Sequence, residues 1–371
     1  MKRTRSQKPG RSLGSDPFLS GDGTLPFLIR LRERTLRVVP DERDGRDGEV
    51  PGAVSSDDLP PLSLRHSPDI GPPVPEVGLE DPEEQAGWLD RLASLSLDAA
   101  DDRRLQQITA SLGASPYDAL GLNGRTSRRA LGLFKLLYRY WFRVESRGHE
   151  LLPEKGGGIL AANHGGLLPF DGAMTVVDVF SHARPPRLVR AIVERWAGTL
   201  PFVNVFYARV GQVIGTRENF RALLRSDQLV LVFPEGVSGI RKKAVDRYRL
   251  CEFHLGFVEE SLLHRVPIIP VSIVGADDQS PILYDLKPLA RALGLPVFPI
   301  TPTFPWLGPV GLLPYPVRYQ IRYGEPFRFY EDYPPDATQD PTAVRYMAEQ
   351  VRRRVQEMVD RDVLERRQPR R

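Results

Sequence analysis

The chain has 371 residues, 41% of them hydrophobic, which is enough for one large domain with appendages. It carries 51 Lys and Arg against 47 Asp and Glu, a formal charge of +4, so charge by itself does not indicate a nucleic-acid-binding protein. A single cysteine, Cys251, excludes an internal disulfide framework and is typical of a reducing compartment. We expect this cysteine to be a small buried residue on a helix.

The N-terminal segment differs in composition from the rest. Residues 1–80 contain 11 prolines and 9 glycines among mixed charges, with weak hydrophobic periodicity, which predicts a disordered tail. Residues 81–113 space Trp88, Leu89, Leu92 and Leu95 as a helix would, and predict a short helical linker.

No segment predicts a transmembrane helix. The longest uncharged stretch, 295–317, contains seven prolines and cannot form a continuous helix. Any membrane contact is therefore expected to be peripheral or monotopic.

Residues 127–144, "SRRALGLFKLLYRYWFRV", read as a helix with apolar residues on one side and arginines and Lys135 on the other. Two interpretations remain open for it. It is a core-facing helix with a solvated rim or an interfacial helix lying on anionic lipid, and both can hold for one helix at the membrane end of a domain.

Strand-like and helix-like segments then alternate. The strand candidates are 157–163, 187–194, 228–235, 267–275 and 318–327, and the helix candidates are 171–183, 217–225 and 251–265. Runs such as "LVLVF" and "PIIPVSIV" suit strands buried on both faces. The pattern predicts an α/β domain over 115–340, with a largely parallel central sheet flanked by helices. Valines and methionines at helical spacing predict a C-terminal amphipathic helix and basic tail over 341–371.

The motif "NHGGLLPFDG" (163–172) is the first candidate site. His164 follows a predicted strand, where the clefts of α/β folds form, and Asp171 precedes an apolar helix as a candidate N-cap. An aspartate held there can accept the Nδ1 proton of His164 and leave Nε2 free as a general base. Taken alone, this spacing is also typical of a structural turn.

Further candidates follow in order along the chain. Arg217 opens a helix after two glycines, an arrangement that suits a phosphate. A buried strand then runs into Glu235 and Gly236, followed by Arg241 and Lys242. We expect these residues to bind substrate, with Glu235 either fixing Arg217 or accepting a hydrogen bond from an acceptor hydroxyl.

Other chemistries lack their motifs. "HELLP" (149–153) has no second zinc-binding histidine, "GVSG" (236–239) is no nucleophile elbow, and no phosphate-binding loop of the GxxxxGK[ST] type occurs. The six histidines and one cysteine show no metal-binding spacing.

In combination these motifs resemble the glycerophospholipid (lysophosphatidic acid-type) acyltransferase family. Asn163, His164 and Asp171 are similar to its first motif, "GQVIGTR" (211–217) to its second, "FPEG" (233–236) to its third and "VPIIPV" (266–271) to its fourth. The resemblance covers about 125–335. Six residues separate His164 from Asp171 where the family usually has four, which resembles the pattern of a bacterial subgroup.

The resemblance implies acyl transfer from acyl-CoA or acyl carrier protein to a hydroxyl of a lysophospholipid or glycerol phosphate. His164 would be the base, Asp171 its orienting carboxylate and Arg217 the phosphate ligand, with Asn163 in the substrate site. It implies no cofactor or metal beyond the thioester co-substrate, no nucleic-acid partner, and a cytoplasmic location on an anionic inner membrane face. Two alternatives remain: a neutral glyceride or other alcohol as the acceptor, or a catalytically silent lipid-binding scaffold. The missing nucleophile motif disfavours a soluble hydrolase.

We expect the acyl chain to lie along the 131–141 helix or the Phe304–Leu307 segment, and the oxyanion to meet backbone N–H groups of the glycine turn or the following helix start.

Overall fold

A computed structural model describes residues 87–110, 115–200 and 202–367 of the protein, so the predicted tail over 1–80 lies outside the described residues. The strands are β1 (Glu145–Arg147), β2 (Gly158–Ala162), β3 (Val189–Val193), β4 (Val213–Ile214), β5 (Leu229–Val232), β6 (Ile268–Val274), β7 (Tyr284–Asp285), β8 (Pro299–Ile300) and β9 (Gln320–Tyr323). Seven of them form one sheet in the order β1-β9-β6-β2-β5-β3-β4, and β7 pairs with β8 separately.

The predicted α/β class with a largely parallel sheet is confirmed. Strands β6, β2, β5, β3 and β4 all run parallel, as their apolar sequences favour. Only β9 and its parallel neighbour β1 run the other way. Val274, at the end of β6, pairs with Gln320, at the start of β9, so β9 runs back along the edge of β6.

Helices cover both faces of this sheet. The α-helices of the described residues are α1 (Trp88–Ser96), α2 (Ala99–Thr109), α3 (Gly124–Leu136), α4 (Phe170–His182), α5 (Val203–Arg209), α6 (Arg217–Arg225), α7 (Val237–Ile240), α8 (Gly256–His264), α9 (Lys287–Ala292), α10 (Phe329–Asp332) and α11 (Pro341–Arg367). Alternate side chains of β2 enter opposite cores: Ile159 packs with α6, α8 and α11, and Leu160 with α4. Burial on both faces explains why the central strands are apolar throughout.

Three cations of α3 form ion pairs with aspartates of the neighbouring helices, which bears on the two interpretations of that helix. Arg128 pairs with Asp102 at 2.8 Å and Arg129 with Asp90 at 2.6 Å, so their charges are turned onto α2 and α1. Lys135 likewise pairs with an aspartate of α2. The packing interpretation is therefore the better one for α3, which continues as a π-helical turn over Leu137–Trp141.

The C-terminal helix α11 buries Val344, Met347, Val351, Val355 and Val359 against the α6 and α8 side of the sheet. Cys251 lies in the loop before α8 and is half-buried, so the expected helical position is wrong. Within the described ranges, no helix combines the length and apolarity needed to cross a membrane.

Candidate active site

His164 and Asp171 meet at the carboxyl edge of the sheet. His164 lies two residues beyond β2, and Asp171 lies in the first turn of α4. The His164 Nδ1 atom is 2.6 Å from Asp171 Oδ2, and the aspartate is fully buried. With the Nδ1 proton donated to this carboxylate, the imidazole keeps Nε2 as its proton-accepting nitrogen.

Asp171 is not the N-cap that the sequence predicts, because α4 begins one residue earlier and is capped at Pro169. The carboxylate instead accepts hydrogen bonds from the backbone N–H groups of Gly165 (3.1 Å) and Gly172 (2.8 Å). These contacts fix both carboxylate oxygens. They also occupy two of the N–H groups that the sequence offers to an oxyanion.

The longer loop between the two residues does not separate them. Gly166 has φ +79°, and a Cβ there would lie 1.9 Å from Gln279 Nε2 and 2.8 Å from the carbonyl oxygen of Ala276. The same Gln279 amide donates to the carbonyl oxygen of Leu168 at 3.1 Å. The loop is thus folded onto the 276–279 segment, which returns the chain to Asp171.

Two opposing influences act on the pKa of His164. Burial lowers it, but the charge and hydrogen bond of Asp171 raise it, with a further contribution from Glu235, and the pKa stands above its ordinary value. The ring also stacks on Phe233, with centroids 4.2 Å apart. The imidazole is therefore held in place and made a stronger base.

His164 opens onto an apolar cavity of about 720 Å³. Its walls come mainly from α3, α4, the end of β3 and the segments 196–200 and 202–210. The apolar lining includes Leu131, Phe134, Leu167, Leu168, Ala173, Val176, Trp196, Phe202, Phe206, Phe220, Phe233 and Phe257. The expected acyl slot beside α3 matches this lining, whereas Phe304–Leu307 is not among the lining residues. The two leucines of the longer His–Asp loop add to the wall.

Arg217 reaches the cavity, but it is already paired. Its Nη2 donates to Glu259 at 2.8 Å, and its Nη1 lies 3.8 Å from Glu260. Glu260 also forms an ion pair with Arg221, whose Nε lies 3.0 Å from Glu260 Oε2. Gly236 lines the cavity too, as predicted for the substrate site.

The remaining predicted substrate residues are not among the cavity-lining residues. Buried Glu235 accepts from Lys242 Nζ (3.0 Å), from the amide of His164 (2.9 Å) and from the amide of Cys251 (2.7 Å). It therefore does not fix Arg217, and its oxygens face the protein because three protein donors satisfy them.

Asn163 and Arg241 are also engaged away from the cavity. The Asn163 side chain donates to and accepts from the backbone of Ile273, which joins β2 to β6. Arg241 pairs with Asp285 at 2.9 Å. Asn163 and Glu235 thus position the loop that carries His164.

The cavity is also lined by polar residues that the sequence motifs do not indicate, among them Glu194, His254 and Trp196. Glu194 directly follows β3, at the same sheet edge as His164, and burial raises the pKa of its carboxyl group. The signal for Glu194 was available, since a carboxylate immediately after a buried strand belongs at the carboxyl edge.

A second histidine–aspartate cluster lies at the far end of α4. Ligand atoms of His149, Asp178 and His182 lie within 4.8 Å of one another, a grouping that linear spacing did not predict. The two imidazoles stack with centroids 4.2 Å apart, so their in-plane lone pairs do not converge on one point. Buried Asp178 also accepts from the hydroxyls of Tyr138 and Tyr323, both at 2.6 Å. This grouping is a hydrogen-bonded network around one carboxylate.

Parts of the chain are similar to known proteins. Residues 143–274 match the family model described as Acyltransferase. The chain is 40% identical over 230 residues to the uncharacterized protein Rv0502 of Mycobacterium tuberculosis, a match covering 62% of this chain and 64% of that protein. A Mycobacterium leprae protein, ML2427, is 39% identical over 228 residues. The chain thus covers less than two thirds of the length of these relatives.

Two named proteins are more distant. The human DGAT1/2-independent enzyme synthesizing storage lipids is 26% identical over 134 residues, covering 35% of this chain and 40% of that protein. The crystal structure of the 1-acyl-sn-glycerophosphate (LPA) acyltransferase PlsC from Thermotoga maritima is 20% identical, with a TM-score of 0.39, and covers 62% of this chain and 81% of that one.

Proposed function

We propose, on the premise that residues 143–274 form an acyltransferase domain of this family, that the chain transfers a fatty acyl group from a thioester to the hydroxyl of a lipid acceptor, with His164 as the general base. One observation carries the proposal. A histidine oriented by a buried aspartate at 2.6 Å opens onto a large apolar cavity.

The reaction follows from the state of the imidazole. His164 Nε2 takes the proton of the acceptor hydroxyl while the oxygen attacks the thioester carbonyl carbon. The tetrahedral intermediate collapses, the C–S bond breaks, and the thiolate leaves with the proton returned by His164. Asp171 stabilises the imidazolium formed in between, and positioned base catalysis of this kind contributes on the order of 10²–10⁴-fold.

The donor is an acyl thioester of coenzyme A or of acyl carrier protein. The cavity lining is almost wholly apolar, which suits a fatty chain. The only cysteine, Cys251, is absent from the cavity lining, which favours direct transfer over an acyl-enzyme.

The acceptor is a lipid alcohol. The sequence motifs favour a lysophospholipid or glycerol phosphate, with a neutral glyceride or other alcohol as the alternative. The human relative is named for synthesising storage lipids, which supports a neutral acceptor as the alternative.

The working surface is proposed to be a membrane. Phe202, which lines the cavity, is 86% exposed, and Phe206 beside it is 42% exposed. Apolar side chains that line a cavity and also reach solvent suit a peripheral contact through which lipid enters. Sedimentation with anionic vesicles, reduced by Phe202→Ser, would support this contact.

The test incubates the purified full chain with acyl-CoA or acyl carrier protein thioester and a panel of lipid alcohols, and follows release of free thiol. We expect acceptor-dependent release that His164→Ala abolishes. His182→Gln is the matched control, because it alters a histidine paired with a buried aspartate outside the cavity. Acceptor-dependent release that is unchanged in His164→Ala would refute the role of His164 as the base, and no release with any donor and acceptor would favour the scaffold interpretation.

A further inference from the structure

The charges on the cavity wall bear on which alcohol is acylated. Among the described residues that line the cavity, Arg217 is the one lysine or arginine, and Glu194 and Glu260 are the carboxylates. A phosphomonoester brings nearly two negative charges, so its binding needs unpaired cations. On this wall the two carboxylates outnumber the one arginine.

The charge of Arg217 is not available in full. Arg217 and Arg221 face Glu259 and Glu260 in one cluster, so two cations are matched by two anions. Glu260 is buried and itself lines the cavity, so an incoming phosphate would lie beside a carboxylate. Like charges a few ångströms apart in a partly desolvated site repel each other strongly.

The other polar atoms of the wall suit hydroxyl groups. A Cβ added at Gly236 would lie 3.1 Å from Glu194 Oε1 and 3.3 Å from His254 Nε2, so these two atoms converge over the glycine. A carboxylate accepts the hydrogen bond that a hydroxyl group donates.

Resting on the proposed acyl transfer, we propose that the acceptor is a neutral lipid alcohol of the acylglycerol class, and that Glu194 positions one of its hydroxyl groups beside His164. Arg217 then stabilises the packing of α6 on α8 through its glutamates. Gly236 is needed because a side chain there would fill the space between Glu194 and His254.

The test uses two acceptors that differ only in the phosphate: 1-oleoylglycerol and 1-oleoylglycerol 3-phosphate, with oleoyl-CoA as donor. For the wild-type chain we expect kcat/KM with the neutral acceptor to be at least about tenfold higher. A higher kcat/KM with the phosphate acceptor would overturn this inference and leave the proposed acyl transfer standing. No acceptor-dependent thiol release with either would overturn both.

Two variants probe the residues. Glu194→Gln should raise KM for 1-oleoylglycerol about tenfold, with a smaller change in kcat, because it weakens a hydrogen bond to the acceptor. Glu259→Gln unbalances the charge of Arg217 and should raise activity with the phosphate acceptor. Glu357→Gln, on the exposed side of α11, is the matched control and should change neither. An unchanged KM in Glu194→Gln, in a variant that melts like wild type, would count against the inference.

Discussion

Replacing Asp171 by asparagine tests the proposed base directly. The carboxylate is fully buried and accepts the His164 Nδ1 proton at 2.6 Å. An asparagine that turns its NH₂ toward Nδ1 moves the ring proton to Nε2, which can then no longer accept the proton of the acceptor. The corresponding change in serine proteases lowers kcat about 10⁴-fold. We expect a loss of roughly 10³–10⁴-fold here, or about 4–5.5 kcal/mol of transition-state stabilisation.

The pH dependence supplies a second measurement. A base must be neutral to act, and the pKa of His164 is raised, so kcat/KM of the wild type should fall as the pH drops through a value above 6.5. In Asp171→Asn burial remains while the aspartate charge is gone, so this acidic limb should move to lower pH. Asp336→Asn, an exposed change, is the control. A variant that keeps activity within threefold of wild type and the same pH profile would refute the proposed role.

Three further changes test the surroundings. Gly166→Ala should lower the free energy of unfolding by about 1–3 kcal/mol for backbone strain and by about 1–3 kcal/mol more for the overlap of the new Cβ with its neighbours. Gly156 has φ +75° but open space around it, so Gly156→Ala should lose only the part due to strain. Urea titrations measure both. Lys242→Met leaves the buried charge of Glu235 without its cation and should lower the free energy of unfolding by about 3–5 kcal/mol in the same assay. Lys243→Met, at an exposed position, should lower it little. Equal losses in the two variants would contradict the argument from burial. Ala173→Phe narrows the cavity and should lower the ratio of kcat/KM for an oleoyl donor to kcat/KM for a decanoyl donor about tenfold. If the acyl chain lies elsewhere, this ratio should stay unchanged.

The sequence could predict His164 and Asp171 as neighbours because both lie where a buried strand ends and a helix begins. Their positions follow from local signals, namely an apolar run, two glycines and the start of an amphipathic helix. The contact itself depends on Gly166 folding onto Gln279, more than 100 residues away, which no local pattern reports.

The predicted roles of Arg217 and Glu235 depended on distant partners in the same way. Arg217 was expected to be available to a phosphate, yet α8 brings Glu259 within 2.8 Å of it. Glu235 was expected to face a ligand, yet Lys242 and two backbone amides satisfy its oxygens. A single sequence shows which side chains carry charge, but tertiary packing decides which charges remain unpaired.

The position of Glu194 at the site follows from the strand order of the sheet. Since β3 lies beside β5 in the same parallel set as β2, the residues that follow β2, β3 and β5 must emerge at one edge. His164, Glu194 and Gly236 are those residues or lie within four positions of them. The topology therefore brings a base, a second carboxylate and a side-chain-free position together over one apolar cavity. Such an arrangement suits the proposed neutral acceptor, with an uncharged polyol headgroup at the rim of the cavity and the fatty chains inside.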